Sequence, residues 1–149
     1  MNGDLMKPYD RGKYYLVPKE IVQLYGLLPD FKTDAMILYT VLRDKRNIEG
    51  VAWPSRYQLE METGIPNSTI GKRLTVLQKY GLIEREPRDD GDGIVFRVYD
   101  PLPESDFIQR FPEVLGLRAD RAAKVEARKA RDRANKRRGR RERKNVPLP

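Results

Sequence analysis

Fourteen of the 30 Lys and Arg residues fall within residues 118–144, against 4 of the 22 Asp and Glu residues, so this stretch carries a net charge of +10. A compact cationic block attracts polyanions: DNA, RNA or an anionic membrane surface. Residues 1–117 hold the other 16 basic and 18 acidic residues, a net of −2 within a total of +8 over 149 residues. The positive field therefore belongs to the tail. Two readings of that tail are open. It is a disordered, solvated extension, or an arm that orders on a polyanion. Ala119, Ala122, Ala123, Ala127, Ala130 and Ala134 give its first half good helix propensity. Arg128, Lys129, Arg131, Lys136, Arg137, Arg138, Arg140 and Arg141 are the expected contacts to nucleic-acid backbone, which they neutralise without reading sequence. A basic zipper dimer is not expected, because no Leu heptad follows the cations.

Covalent chemistry has little to work with. The chain has no Cys and no His, which excludes disulfides, Cys-based zinc sites, Cys nucleophiles and a Ser-His-Asp triad. It has no Gly-rich phosphate loop. Asp89, Asp90 and Asp92 cluster around Gly91 and Gly93, but the later acidic ligand of a calcium loop is missing, so a bare turn is expected. No enzyme activity, cofactor or metal is expected. Residues 1–13 are polar, without the apolar run of a signal peptide. Residues 35–42 form the longest apolar stretch, include Thr40, and are too short to span a bilayer. A cytoplasmic protein without membrane contact is the expectation.

The elements that must position these groups follow from periodicity. Residues 1–13 read as a flexible leader, 14–117 as one domain, and 118–149 as the basic tail. Residues 14–17 are β-prone and closed by Pro18. Residues 19–28 have helical spacing with Ile21, Leu24, Tyr25 and Leu28 on one face. A second helix over 34–46, capped by Thr33 or Asp30, buries Ala35, Leu38, Val41 and Leu42. Residues 47–53 read as a loop. Ser55 and Gln58 have capping-box spacing for a short helix that ends near Gly64. Residues 67–80 form a further helix with Ile70, Leu74 and Leu77 inward, stopped by Gly81. Residues 82–86 and 94–99 read as two strands around an Asp-Gly turn. Residues 106–117 read as one last short helix. Trp53 and the tyrosines serve either as stacking platforms for single strands or as core and turn residues, the second being favoured.

The informative stretch is 53–83. A short helix, a tight turn at Gly64 and a second helix fit the helix-turn-helix layout, in which the second helix enters the major groove. Here Trp53-Pro54-Ser55, Leu59, Gly64-Ile65, Thr69-Ile70, Leu74, Leu77 and Gly81-Leu82-Ile83 stand in register with a known pattern. Over roughly residues 15–99 the sequence resembles the winged helix-turn-helix domains of phage and plasmid replication initiator and replisome-organiser proteins, and related transcriptional repressors. The resemblance implies a mainly α fold with a small β-hairpin. It implies that Asn67, Ser68, Gly71, Lys72 and Arg73 face DNA, with Thr69 at the edge. Arg and Lys suit guanine edges or phosphates, and Asn suits adenine. Arg56 and Tyr57 would touch phosphates, and Arg85 and Arg88, with Arg97, are the wing's candidate contacts. The acidic hairpin tip would itself repel phosphate. Pro66 stands where the family carries a Ser cap, so Asn67 or Ser68 is expected to cap, with the helix starting a residue later.

The implied function is double-stranded DNA binding for a phage, plasmid or mobile element, in replication initiation or its control. A transcriptional repressor with the same reading head is the alternative. An RNA-binding or assembly scaffold is a further one. A replication or transcription protein and a second copy of the chain are the possible protein partners, the latter through the Tyr-rich N-terminal segment or the last helix.

Overall fold

The computed structural model describes residues 12–91 and 93–145. Most of the expected leader therefore lies outside the described residues, as do Asp92 and residues 146–149. In chain order the elements are α1 (Lys19–Gln23), a 3-10 turn (Tyr25–Leu27), α2 (Thr33–Lys45), β1 (Val51–Ala52), α3 (Arg56–Thr63), α4 (Asn67–Lys79), β2 (Ile83–Pro87), β3 (Ile94–Val98), α5 (Glu104–Arg110) and α6 (Val114–Asn145). The strands form one antiparallel sheet in the order β1-β3-β2. The chain is mainly helical with a small sheet, a winged-helix-like arrangement, as the sequence implied.

The core sits around α2, which buries Ala35, Leu38, Tyr39, Val41 and Leu42. Ile21 and Tyr25 close one side, Leu59, Ile70, Leu74 and Leu77 of α3 and α4 another, and Phe96 and Val98 of β3 the sheet side. Fully burying one such side chain stabilises by about 1.5–3 kcal/mol. Tyr25, Phe31, Tyr80, Phe111 and Phe107 close into a ring of aromatic contacts with neighbouring centroids 4.5 to 6.4 Å apart. The ring joins the first helices to the end of α4 and to α5. It adds tilted and edge-on contacts of about 0.5–1.5 kcal/mol each beyond burial.

Several expectations are corrected. Residues 14–17 form no strand. They pair with no sheet edge, and Tyr14, Tyr15, Leu16 and Val17 stay exposed. The expected helix 19–28 breaks at Leu24 into α1 and the 3-10 turn. Gly26 in that turn lets Met36 come close: a Cβ there would stand 2.8 Å from Met36 Cε. Neither Thr33 nor Asp30 caps α2; Lys32 holds that position without a side-chain bond. Residues 51–52 of the expected loop pair with β3 as an edge strand. The expected helix 106–117 is divided at Phe111-Pro112, since a residue before proline is steered away from the α region. Its last turn belongs to α6, which runs through the boundary expected at 117/118. Val114 is buried, Arg118 pairs with Glu104 at 2.9 Å, and Arg121 donates to the Gly26 carbonyl at 3.2 Å.

Two carboxylates tie separate elements together. Asp30 accepts hydrogen bonds from Lys79 Nζ at 2.8 Å and from the Tyr80 hydroxyl. Asp100 pairs with Arg46 at 2.9 Å and Arg43 at 3.3 Å, tying α2 to the exit of β3. Partial burial alone would raise the pKa of Asp30, but the hydrogen bonds from Lys79 and Tyr80 outweigh it and hold the carboxyl below its ordinary value. Burial likewise acts upward on Asp100 and is outweighed by Arg46, then Arg43. A carboxyl whose folded pKa lies below its unfolded value of about 3.9 stabilises fully above that pH and stops doing so as pH falls through the folded value. Asp30→Asn and Asp100→Asn should each lower the melting temperature at neutral pH and flatten its decline below about pH 4. Melts recorded across that range check this; a wild-type acid limb in both variants would place the responsible carboxylates elsewhere.

Candidate nucleic-acid interface

Local chemistry sets the α3–α4 pair. The Ser55 hydroxyl accepts from the Gln58 amide at 3.1 Å, capping α3 as its spacing predicted. Gly64 ends α3 at φ 72°, a left-handed conformation in which a side chain is strained. The Thr63 hydroxyl then accepts from the Ile65 amide at 3.1 Å, satisfying the turn, and Ile65 turns into the core. Pro66 precedes α4 with no side-chain cap, and the Thr69 and Ile70 amides donate to its carbonyl. The helix thus begins at Asn67 and not a residue later: Pro66 takes the extended backbone of a cap residue (φ −58°, ψ 145°), where its missing N–H forgoes no helical hydrogen bond. At the far end the Gly81 amide donates to Gln78 and the Leu82 amide to Leu77, both at 3.0 Å, with Gly81 at φ 74°. This paired pattern satisfies the last carbonyls of α4.

Burial of Ile70, Leu74 and Leu77 fixes which residues of α4 face outward. Ser68, Lys72 and Thr75 are exposed, and Asn67, Thr69 and Gly71 are half-buried along its flanks. Thr75 was missed in the sequence; its place one position beyond Leu74 and seven beyond Ser68 puts it on the same outward row. Arg73 departs from expectation. Its Nε stands 2.7 Å from Asp34 Oδ1 on α2, and both atoms are buried. The pair lies off hydrogen-bond angle, so the contact is ionic. Position 73 adjoins the buried stripe, which turns the side chain toward α2.

Arg56 also differs from the expected phosphate contact. Its guanidinium reaches from α3 to α4, where Nη1 donates to Asn67 Oδ1 at 3.2 Å and lies 3.4 Å from the Asn67 carbonyl. Tyr57, beside it, is 78% exposed. Trp53 is 53% exposed in the loop after β1, so it is a turn residue and not a core one. The tyrosines divide: Tyr25, Tyr39 and Tyr80 are buried, while Tyr14, Tyr15, Tyr57 and Tyr99 are not.

The wing's cations are engaged within the chain. Arg85 Nε donates to Gln78 Oε1 at 2.8 Å, Arg88 pairs with Asp90 at 3.2 Å, and Arg97 pairs with Glu86 at 3.4 Å. Along α6, Arg128, Lys129, Arg131, Lys136, Arg137, Arg138, Arg140 and Arg141 are all exposed. Lys129 pairs with Glu126 at 3.1 Å. Among the described residues no acidic cluster is arranged to hold a metal ion, and no helix is long and apolar enough to cross a membrane.

No protein-family model and no curated protein matches the sequence. Solved structures do match. One described as a Rep–DNA complex aligns with TM-score 0.52 and 16% identity, over 72% of this chain and 90% of that one. The N-terminal domain of a DNA-binding protein aligns with TM-score 0.50 and 16% identity, over 72% and 89%. An MDR initiator aligns with TM-score 0.49 and 19% identity, over 72% and 93%. At these identities the likeness is one of fold.

The two neighbouring cations of α4 should separate in a melt. Arg73→Ala leaves Asp34 without its buried partner and should cost roughly 1–3 kcal/mol. Lys72→Ala, on the exposed face, should stay within about 0.5 kcal/mol of wild type. Equal losses in thermal or urea unfolding would contradict the placement of Arg73.

Proposed function

We propose that the chain is a double-stranded DNA-binding protein of a phage, plasmid or mobile element, acting in replication initiation or its control through a winged helix-turn-helix. It binds and does no covalent chemistry. The observation that carries this reading is the outward row of α4. Ser68, Lys72 and Thr75 are small, polar or cationic groups on one face of a helix braced by α3, with Asn67 on its flank, and such a face fits the major groove. Two further facts support it. The fold is shared with a structure solved as a Rep–DNA complex. The exposed cations of α6 supply the backbone affinity that a small reading head lacks. A repressor would use the same head, and the position of the bound site separates the two: origin repeats for replication, a promoter for repression.

The test uses the full chain and a random duplex pool. Wild type should select a preferred duplex. Converting Lys136, Arg137, Arg138, Arg140 and Arg141 together to Gln should keep that preference and weaken affinity. The slope of log affinity on log salt should become shallower by about 0.9 for each phosphate that is no longer neutralised. A chain that selects no duplex at any salt, yet holds RNA through α6, would instead be an RNA-binding or scaffold protein.

A further inference from the structure

The contact between Arg56 and Asn67 decides what Asn67 can offer. A guanidinium has only donors, so the atom that faces it at 3.2 Å must be the amide oxygen Oδ1. The amide nitrogen then points away from Arg56. Gly71 is part of the same arrangement. A Cβ at that position would stand 3.0 Å from Arg56 Nη1 and 3.3 Å from Nη2, so the guanidinium lies where a side chain would otherwise be. Gly71 has no need of left-handed backbone, since it lies inside α4. A glycine inside a helix weakens it, and what the position gains here is room for the guanidinium. Asn67, Gly71 and Arg56 therefore form one unit at the start of α4.

We infer that Arg56 is a positioning residue that makes Asn67 a hydrogen-bond donor to the base it meets. Pairing with adenine in the major groove needs Oδ1 to accept from N6 while the amide nitrogen donates to N7. Arg56 occupies one of the two lone pairs of Oδ1, and its positive charge beside that oxygen opposes the approach of a second donor such as adenine N6. The amide nitrogen is left to donate to an acceptor: N7 of either purine, O6 of guanine or O4 of thymine. Adenine keeps only its N7 contact and loses the paired geometry, which weakens the adenine preference that Asn alone suggests and favours guanine or thymine. It rests on the reading of α4 as the helix that enters the groove.

The experiment is selection from a randomised duplex pool, with salt titration of the selected site, for full-length wild type, Arg56→Ala and Gly71→Ala. Wild type should prefer guanine or thymine at the base facing Asn67. Arg56→Ala frees Oδ1 and should move that one position toward adenine by about tenfold, with the salt slope unchanged. Gly71→Ala keeps the charge but displaces the guanidinium, and should produce the same shift without lowering the melting temperature. Two results overturn the inference alone: identical selection by all three proteins, or a uniform loss of affinity in Arg56→Ala with a slope shallower by about 0.9, the mark of a phosphate contact. A wild-type chain that selects no duplex overturns the reading of the groove helix, and this inference with it.

Discussion

Burial of one stripe, Ile70, Leu74 and Leu77, sets the rotational phase of α4, and what the chain presents to solvent follows from that phase. With those three turned inward, Ser68, Lys72 and Thr75 must face out. The flanking positions have no such freedom. Arg73 meets α2 and finds Asp34; Asn67 and Gly71 meet α3 and receive Arg56. A helix fixed only by its apolar stripe can still rock about its axis. Here an ionic contact on one flank and a guanidinium on the other oppose that motion. The ends are fixed separately, by Pro66 at the start and by Gly81 with the aromatic ring around Tyr80 at the finish.

Charge is distributed to match. The body nearly cancels its own charge, and its cations are largely spent on structure: Arg43 and Arg46 on Asp100, Lys79 on Asp30, Lys45 on Glu62 at 2.7 Å. The excess is exported to α6. Its root is fastened by Val114, Arg118 and Arg121, while residues 129–145 are almost wholly exposed. That outer stretch places Arg133, Arg137 and Arg141 four residues apart, a like-charge spacing that disfavours an isolated helix. A polyanion alongside would remove the repulsion, so helix formation and polyanion binding favour each other in this segment.

What was legible in the sequence obeys rules that act over a turn or less. The cap at Ser55, the left-handed Gly64, the stop at Gly81 and the inward stripe of α4 depend on neighbours within a few residues, and all stand where expected. The misses depend on partners far along the chain. Residues 51–52 become a strand only because β3 lies beside them. Residues 14–17 have the propensity for a strand but pair with neither edge of the sheet. Trp53 has the composition of a core residue, yet it stands 53% exposed in the loop after β1. Arg56, Asn67 and Gly71 are legible singly, each as an expected contact. Their dependence on one another is not, because it needs the fold to bring α3 across α4.

The hairpin adds little free positive charge to the surface. In a winged helix the hairpin is available as a second contact to the duplex, yet here Arg85, Arg88 and Arg97 each meet a partner on the chain, and Asp89 and Asp90 crowd the tip. Releasing any of these cations to a phosphate would break an existing contact and bring carboxylates toward the backbone, so the net gain is small. On α6, Arg118, Arg121, Lys129 and Arg143 make contacts on the chain, and the other cations of its outer stretch face solvent. Backbone attraction is therefore concentrated on a helix rooted beside Phe111, which contacts Tyr80 at the far end of α4 from Asn67. With 13 residues at about 1.5 Å each, α4 sets roughly 20 Å between Asn67 and the root of the cationic helix. Changes in the cationic helix can then alter how tightly the chain holds a polyanion while the geometry at Asn67, Arg56 and Gly71 stays as it is.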